Sequence, residues 1–587
     1  MPRTLNTSID ETLYNDNKFP NEVSTIHTTH LPKPCSPIPS KCSNLSETAK
    51  HQIYTLISNN NTAKTATLNE EEQDAIDDGF LLCDVNTIQS KFQAWYILFP
   101  RIKPFFALKC NPDDMVSHVL GSSGDNICGF DCASISEIKL ALKSCTYYKI
   151  DQGEGQGEDR EMKDVRTKEA RRRCVYANPQ RARNDLDQAL ELGVLALTFD
   201  SVEELIKVKD AYERYLGRWE NQLNDQKTSN DNVTEYSDPL QTQNQPAPAP
   251  EMILRIVVPD GNSTIPLGEK FGAGPHKVKQ LTQAALEMNL DVIGVSFHCG
   301  SGNHDPYAYG EAIQIAKVAM DDINTVLRQW GKDDCCVLDI GGGYPGYDGV
   351  GADFSRFSGK STTRDALCHQ MNSKYNPEDE TAYKIAQVVT PLIDELFPND
   401  NARASSANVD IISEPGRYFV EAAFAYCARI YSTKVTYLHS NDDEKTERHN
   451  HYFIAQGVQG LFKDVLLCGE KFIPLPLTVD EELVTIQHHK VVDKEDFCVV
   501  ETNDARENND NDQTILFSST VHGPSGETYD IVCDECMLPQ LKEGDWLIFD
   551  RMGAYTLSIA ARNSSLPIRY VIGGVLESST CTTIPTR

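Results

Sequence analysis

The chain has no apolar run near the roughly 18 residues needed to span a bilayer. Its first residues form no apolar h-region, and the scattered acids Asp10, Glu11 and Asp16 do not suit a transit peptide. Basic residues are scarce beside acidic ones: 55 Lys and Arg against 86 Asp and Glu give a formal net charge of −31 over 587 residues. That balance argues against nucleic acid and anionic membrane as partners and fits well-solvated loops. A zinc site would lack its second half, because Cys533 and Cys536 form the one C-x-x-C of the chain. No metal is therefore expected. The 18 cysteines come without a secretory signal and read as reduced thiols, so a cytoplasmic location is expected.

What is present is a long chain with room for two or three domains and interrupted by polar segments. Residues 1–46, rich in Thr, Ser, Asn and Pro, read as a disordered tail. Residues 152–172, 221–250 and 347–380 read as polar inserts in surface loops, as do 440–450 and 501–512. Between them lie eight short apolar strands: Pro104–Lys109, Ile127–Asp131, Cys174–Asn178, Leu195–Asp200, Met252–Val257, Val292–His298, Cys336–Ile340 and Val409–Glu414. Most gaps can hold an amphipathic helix; in Tyr309–Trp330, apolar Ile313, Ala316, Met320, Ile323 and Leu327 recur at three- and four-residue spacing. Continuous apolar strands alternating with helices predict a parallel sheet covered on both faces, and eight units predict a closed (β/α)8 barrel over residues 77–423. From residue 424 to 587 the strands are separated by turns instead, which predicts a mainly antiparallel β domain. Residues 47–76 are expected to pack on that second domain.

In such a barrel the active site lies at the C-terminal ends of the strands, and polar groups or glycines collect there. Lys109 closes the first strand, with its stem desolvated; that setting predicts a lowered pKa and a free amine able to form an imine. Pyridoxal 5′-phosphate (PLP) needs such a lysine, an acid for its pyridine nitrogen, donors for its phosphate and a flat group against its ring. Glu414 can supply the acid. Gly341, Gly342 and Gly343 expose successive backbone N–H groups suited to a phosphate, and Arg417 adds a cationic fork. His298 can lie against the ring, and Ser301 can donate a hydroxyl. Asp131, Asn178 and Arg255 stand at further strand ends.

The wording around these residues resembles eukaryotic ornithine decarboxylases. It runs in family order through PFFALKCNP at Lys109, GFDCAS at Asp131, YANP at 176–179, TFDS at 198–201 and KFGA at 270–273. It continues through VSFHCGSG at 295–302, LDIGGGYPG at 338–346, EPGRYF at 414–419 and MGAY at 552–555. The resemblance covers about residues 77–562. It implies that Lys109 holds PLP, that Glu414 pairs with the pyridine nitrogen and that His298 stacks on the ring. Ser301, the three glycines, Arg417 and Tyr555 would hold the phosphate, with Asp131 and Arg255 in support. It further implies a head-to-tail homodimer with shared active sites, in which Lys270 and Asp530 pair across the interface.

The substrate side departs from the family. Where the family has Gly-Pro-Thr-Cys-Asp, this chain reads Gly523-Pro524-Ser525-Gly526-Glu527. The family cysteine is the proton donor to the substrate carbon, and Gly526 has no side-chain proton to give. Glu527 replaces one of two acids that bind ornithine's distal ammonium, and Cys468 replaces the other. Gln459 and Asn563 stand where aromatics are expected. Glu470, two residues past Cys468, is a candidate to restore the charge. Three readings stay open: decarboxylation of L-ornithine to putrescine, decarboxylation of another amino acid, and a non-catalytic regulator like an antizyme inhibitor. An antizyme-like partner is a further expectation of the resemblance.

Overall fold

A computed structural model describes residues 52–53, 79–122, 128–146, 168–228, 248–268, 270–346, 381–398, 409–439, 446–480, 483–486, 499–500, 514–560, 566–572 and 575–578. The tail at 1–46, the inserts at 347–380 and 501–512, and Asn563 lie outside these residues.

The chain enters the described fold with strand β1, Phe80–Asp84, every residue of which is buried. Asp84 then caps the helix Val85–Leu98 by accepting the Asn86 N–H at 3.1 Å, which satisfies one orphan donor of its first turn. Eight parallel strands follow: β2 Ile102–Ala107, β3 Gly129–Cys132, β4 Cys174–Tyr176, β5 Ala196–Phe199, β6 Glu251–Arg255, β7 Asp291–Ser296, β8 Val337–Asp339 and β9 Asp410–Ser413. They pair in chain order, and β9 pairs back onto β2 through Ile411 and Ile102, closing the barrel. The eight expected strands and the barrel are thus present. Inside the ring Phe105, Val175 and Ile253, from alternate strands, form one apolar cluster with Ala177 and with Ile412 of β9. The opposite strand faces, such as Phe106 and Phe130, are fully buried under the helices, each such ring contributing about 2–3 kcal/mol of burial.

The second domain is a ten-stranded sheet. Its long strand Phe424–His439 pairs antiparallel with β1, with Trp546–Phe549 and with Thr446–Ile454. Two pairings are parallel, β1 with Ile568–Ile572 and Thr446–Ile454 with Phe517–His522, so the sheet is mixed. Two expected boundaries move. The barrel does not take in residue 80: Phe80 and Leu82 face an apolar cluster with Ile53, Leu477, Trp546 and Ile548 and join the second sheet. The polar inserts are also shorter than expected. The helix Val202–Thr228 runs eight residues into the segment placed at 221–250, residues 168–172 lie in a helical turn, and residues 446–450 are strand. In each case a charged segment free of Gly and Pro keeps its local regularity.

Side chains tie the domains together. Asp113 accepts the Val116 N–H at 3.0 Å as a helix cap and the Tyr570 hydroxyl at 2.6 Å from the second sheet. Asn111 Nδ2 donates to Gly553 O at 2.8 Å, and the Tyr555 N–H donates to Cys110 O at 2.9 Å. The turn that follows β2 is therefore clamped onto the MGAY loop of the second domain.

Candidate active site

That clamp fixes Lys109. Its Nζ meets Asp131 Oδ2, at the end of β3, at 2.6 Å; the Lys109 side chain is 31 % exposed and that of Asp131 0 %. Burial alone pushes the ammonium down, as expected from the sequence, but Asp131, Glu414 and the Tyr555 phenol outweigh it. The net effect is a pKa well above the usual lysine value, which reverses the expected direction. Local sequence shows the desolvated stem and conceals the carboxylates that the barrel brings to it.

Glu414 follows β9 and is 7 % exposed. Burial, with Asp131 and Asp339 as like-charged neighbours, holds its carboxyl well above the normal range, against the pull of Lys109 and Arg255. Asp339, at the end of β8, carries no role in the sequence reading although only Ile340 separates it from the glycine loop. It is fully buried, and burial pushes it up to about 7 against the opposing Gly341 N–H bond at 2.9 Å. His298 accepts the Gly300 N–H on Nδ1 at 3.0 Å, which places its proton on Nε2. Burial, Arg255 and Lys109 hold its pKa well below the usual value, so the ring is neutral.

At the other end of the site Arg417 Nε donates to Ser301 Oγ at 3.1 Å, and its guanidinium lies over the Tyr555 ring at 4.9 Å. Tyr555 holds a positive φ of 58°, and burial raises its phenol to about 12. The glycine loop packs where side chains cannot. A Cβ on Gly341 would stand 2.0 Å from Phe297 O, one on Gly343 2.1 Å from Gly300 O, and both residues have positive φ. The Gly341 N–H is committed to Asp339, which leaves those of Gly342 and Gly343 to offer an anion.

These groups fit PLP on three counts. Asp131 Oδ1, Asp339 Oδ2 and Ser296 Oγ are buried without a hydrogen-bond partner, so the site is built for polar contacts beyond its own. The glycine cradle, Ser301 and Arg417 converge as anion donors. The neutral His298 ring and the raised Glu414 suit a flat, protonated heterocycle. Lys109, Asp131, Arg255, His298, Ser301, Gly341, Gly342, Gly343, Glu414, Arg417 and Tyr555 lie near one another at this end of the barrel.

The residues expected on the substrate and subunit side are placed differently. Cys468 ends the helix Lys463–Cys468 and is half-buried, its Sγ donating to Asp464 O at 3.3 Å. Glu470 pairs with Arg551 at 3.4 Å, so the acid proposed to replace a lost charge is already engaged. Gly526 (φ 71°) and Glu527 are exposed on the loop 523–530. Asp530, 2 % exposed, builds that loop by accepting the N–H groups of Val458 and Ser525, each at 2.9 Å. Gln459 Nε2 donates to Tyr529 OH at 2.6 Å, which fastens it to the same loop. Lys270 is exposed over the Phe271 ring at 4.9 Å, in a setting separate from Asp530.

Comparison with known proteins agrees with this geometry. Residues 85–421 match the family model described as "Pyridoxal-dependent decarboxylase, pyridoxal binding domain". An ornithine decarboxylase of Caenorhabditis elegans is 30 % identical over 488 residues, 82 % of this chain and 84 % of that one. An antizyme inhibitor 2 of Xenopus laevis is 28 % identical over 511 residues, 86 % of this chain and 83 % of that one. Among solved structures, the arginine decarboxylase of Paramecium bursaria Chlorella virus superposes with a TM-score of 0.56 at 23 % identity, covering 85 % of this chain and 98 % of that one. That last likeness speaks to the fold. With the family model over more than half its length and a 30 % relative over four fifths of it, the chain belongs to the pyridoxal-dependent decarboxylases, with PLP as its cofactor.

Proposed function

We propose that this protein decarboxylates an L-amino acid carrying a distal amine, with L-ornithine as substrate and putrescine as product. The observation that supports it best is the cluster of Lys109, Asp131, His298 and Glu414 at the ends of β2, β3, β7 and β9. The extent of the likeness to ornithine decarboxylases directs the substrate choice. When bound, the cofactor supplies an electron sink for the pair left behind as CO2 departs. The chain's own groups do the rest. Lys109 would hold the cofactor through its amine, and Asp131 Oδ2, 2.6 Å from its Nζ, would orient it. Glu414, costly to ionise in isolation, would be kept as carboxylate by a cationic ring nitrogen beside it. His298, neutral and fixed through Nδ1, would set the face of the ring. Glu527, exposed on its pinned loop, would bind the distal ammonium across a homodimer interface that Lys270 and Asp530 help form.

The second reading, an amino acid without a distal ammonium, draws on the Glu470–Arg551 pair and on Cys468, which leave that end of the pocket short of negative charge. Amine and CO2 release from PLP-loaded protein, measured over ornithine, lysine, arginine, diaminopimelate and uncharged amino acids, separates the two. Putrescine as the dominant product supports the proposal. Another amine transfers the reading to that substrate. No product from any of them would replace both with a regulatory role, in which an antizyme-like protein is the partner.

A further inference from the structure

Arg417 is held by two acids before any phosphate reaches it. Its Nη2 stands 3.7 Å from Asp464 Oδ2 and its Nη1 3.8 Å from Glu421 Oε1, while Nε donates to Ser301. All three charged side chains are largely buried, at 12 % exposed for Arg417, 8 % for Asp464 and 13 % for Glu421. Glu421 has a second duty, accepting the Gly346 N–H at 3.0 Å. Asp464 comes from the second domain, on the helix that ends at Cys468. We propose that Asp464 is a positioning residue that holds Arg417 against Ser301 and competes with the cofactor phosphate for the guanidinium.

The argument is one of charge. One buried cation already faces two carboxylates, and a phosphate drawn to the same fork brings about 1.5 to 2 further negative charges. Like charges a few ångströms apart in a poorly screened site repel strongly. The conflict is relieved where Asp464 takes up a proton. Burial raises its carboxyl, Arg417 opposes that rise, and Glu470 and Glu421 add to it. Cys468, one helical turn on, has its own thiol raised by burial and by Asp464. Among the described residues these four, Arg417 and Glu421 across the domain boundary and Glu470 and Cys468 on its own side, are the titratable and charged groups that face Asp464. The consequence is a phosphate site whose affinity is tuned down from the second domain.

The test uses full-length protein freed of cofactor, titrated with PLP and separately with pyridoxal, which lacks the phosphate, and followed by absorbance. Asp464→Asn is expected to bind PLP roughly tenfold more tightly at about pH 8 while its affinity for pyridoxal stays the same. Unchanged or weaker PLP binding, or equal shifts for both ligands, would overturn the proposal. If the variant does not fold, Asp464→Ser, which removes the same charge, carries the comparison, and unchanged or weaker PLP binding relative to pyridoxal would overturn the proposal equally.

Discussion

Replacing Asp339 by Asn should make the cofactor-free protein more stable, and more so in alkaline than in acidic solution. Asp339 is fully buried at the end of β8; its Oδ1 accepts the Gly341 N–H, and its Oδ2 has no partner. Asn keeps the shape and the Oδ1 acceptor and gives the vacant side a donor in a neighbourhood that contains Asp131 and Glu414. The carboxyl rises from 3.8 to about 7 on folding. Between those values the folded chain binds more protons than the unfolded chain, so stability falls as pH rises through that window. From this shift, the wild-type cost is about 4 kcal/mol at about pH 8 and about 2 kcal/mol at about pH 5. Urea denaturation of both cofactor-free proteins at those two pH values gives the comparison. The difference in favour of Asn should grow by about 2 kcal/mol on going from acid to alkali. A constant difference, or a variant less stable at about pH 8, would show that Asp339 is ionised without strain and that the acid cluster is misread.

Lys109→Ala should abolish the near-visible absorbance that PLP acquires on joining the protein; a variant keeping that absorbance would remove Lys109 from its role. Glu527→Gln should raise KM for ornithine by roughly one to two powers of ten, as loss of a carboxylate partner for an ammonium implies, while leaving PLP absorbance intact. Because Gly526 offers no side-chain proton, turnover should accumulate pyridoxamine phosphate, detectable by chromatography of the released cofactor; its absence after many turnovers would point to another proton donor. Gly343→Ala should lose PLP and fold poorly, since the new methyl would stand 2.1 Å from Gly300 O at a φ of 100°; near-wild-type cofactor content would contradict the packing described.

The barrel was legible because a strand buried on both faces must be apolar throughout, and each polar or glycine exception at its end then stands out. Lys109, Glu414 and the 341–343 glycines were found in that way. Asp339 ends its strand just as clearly, yet the adjoining glycines drew the functional reading away from it. Asp464 drew no attention: it sits in the first turn of a six-residue helix, 47 residues along the chain from Arg417, and only tertiary packing joins them. The direction of the Lys109 pKa failed for the same reason, since three of the groups that decide it lie 22, 305 and 446 residues away in sequence, at Asp131, Glu414 and Tyr555. Asp530 was expected to serve a neighbouring subunit, and its bonds to Val458 and to Ser525 of its own loop follow only from the fold.

Strand β1 gives the chain the form of a parenthesis. Leu81 pairs with Ile568 and Phe80 with Cys427, so the sheet that completes the molecule has one of its inner strands encoded ahead of the entire barrel. The second sheet cannot finish until β1 and the strands from residue 424 onward have met, which makes its closure a long-range event in folding. A fragment beginning at residue 424 would expose two unfilled edges, on Phe424–His439 and on Ile568–Ile572, where β1 belongs. The barrel, cut off after residue 423, would in turn lose the clamp on the turn that carries Lys109. The two domains are thus separable in architecture but not in the chain, and any attempt to divide them must carry residues 80–84 with the C-terminal half.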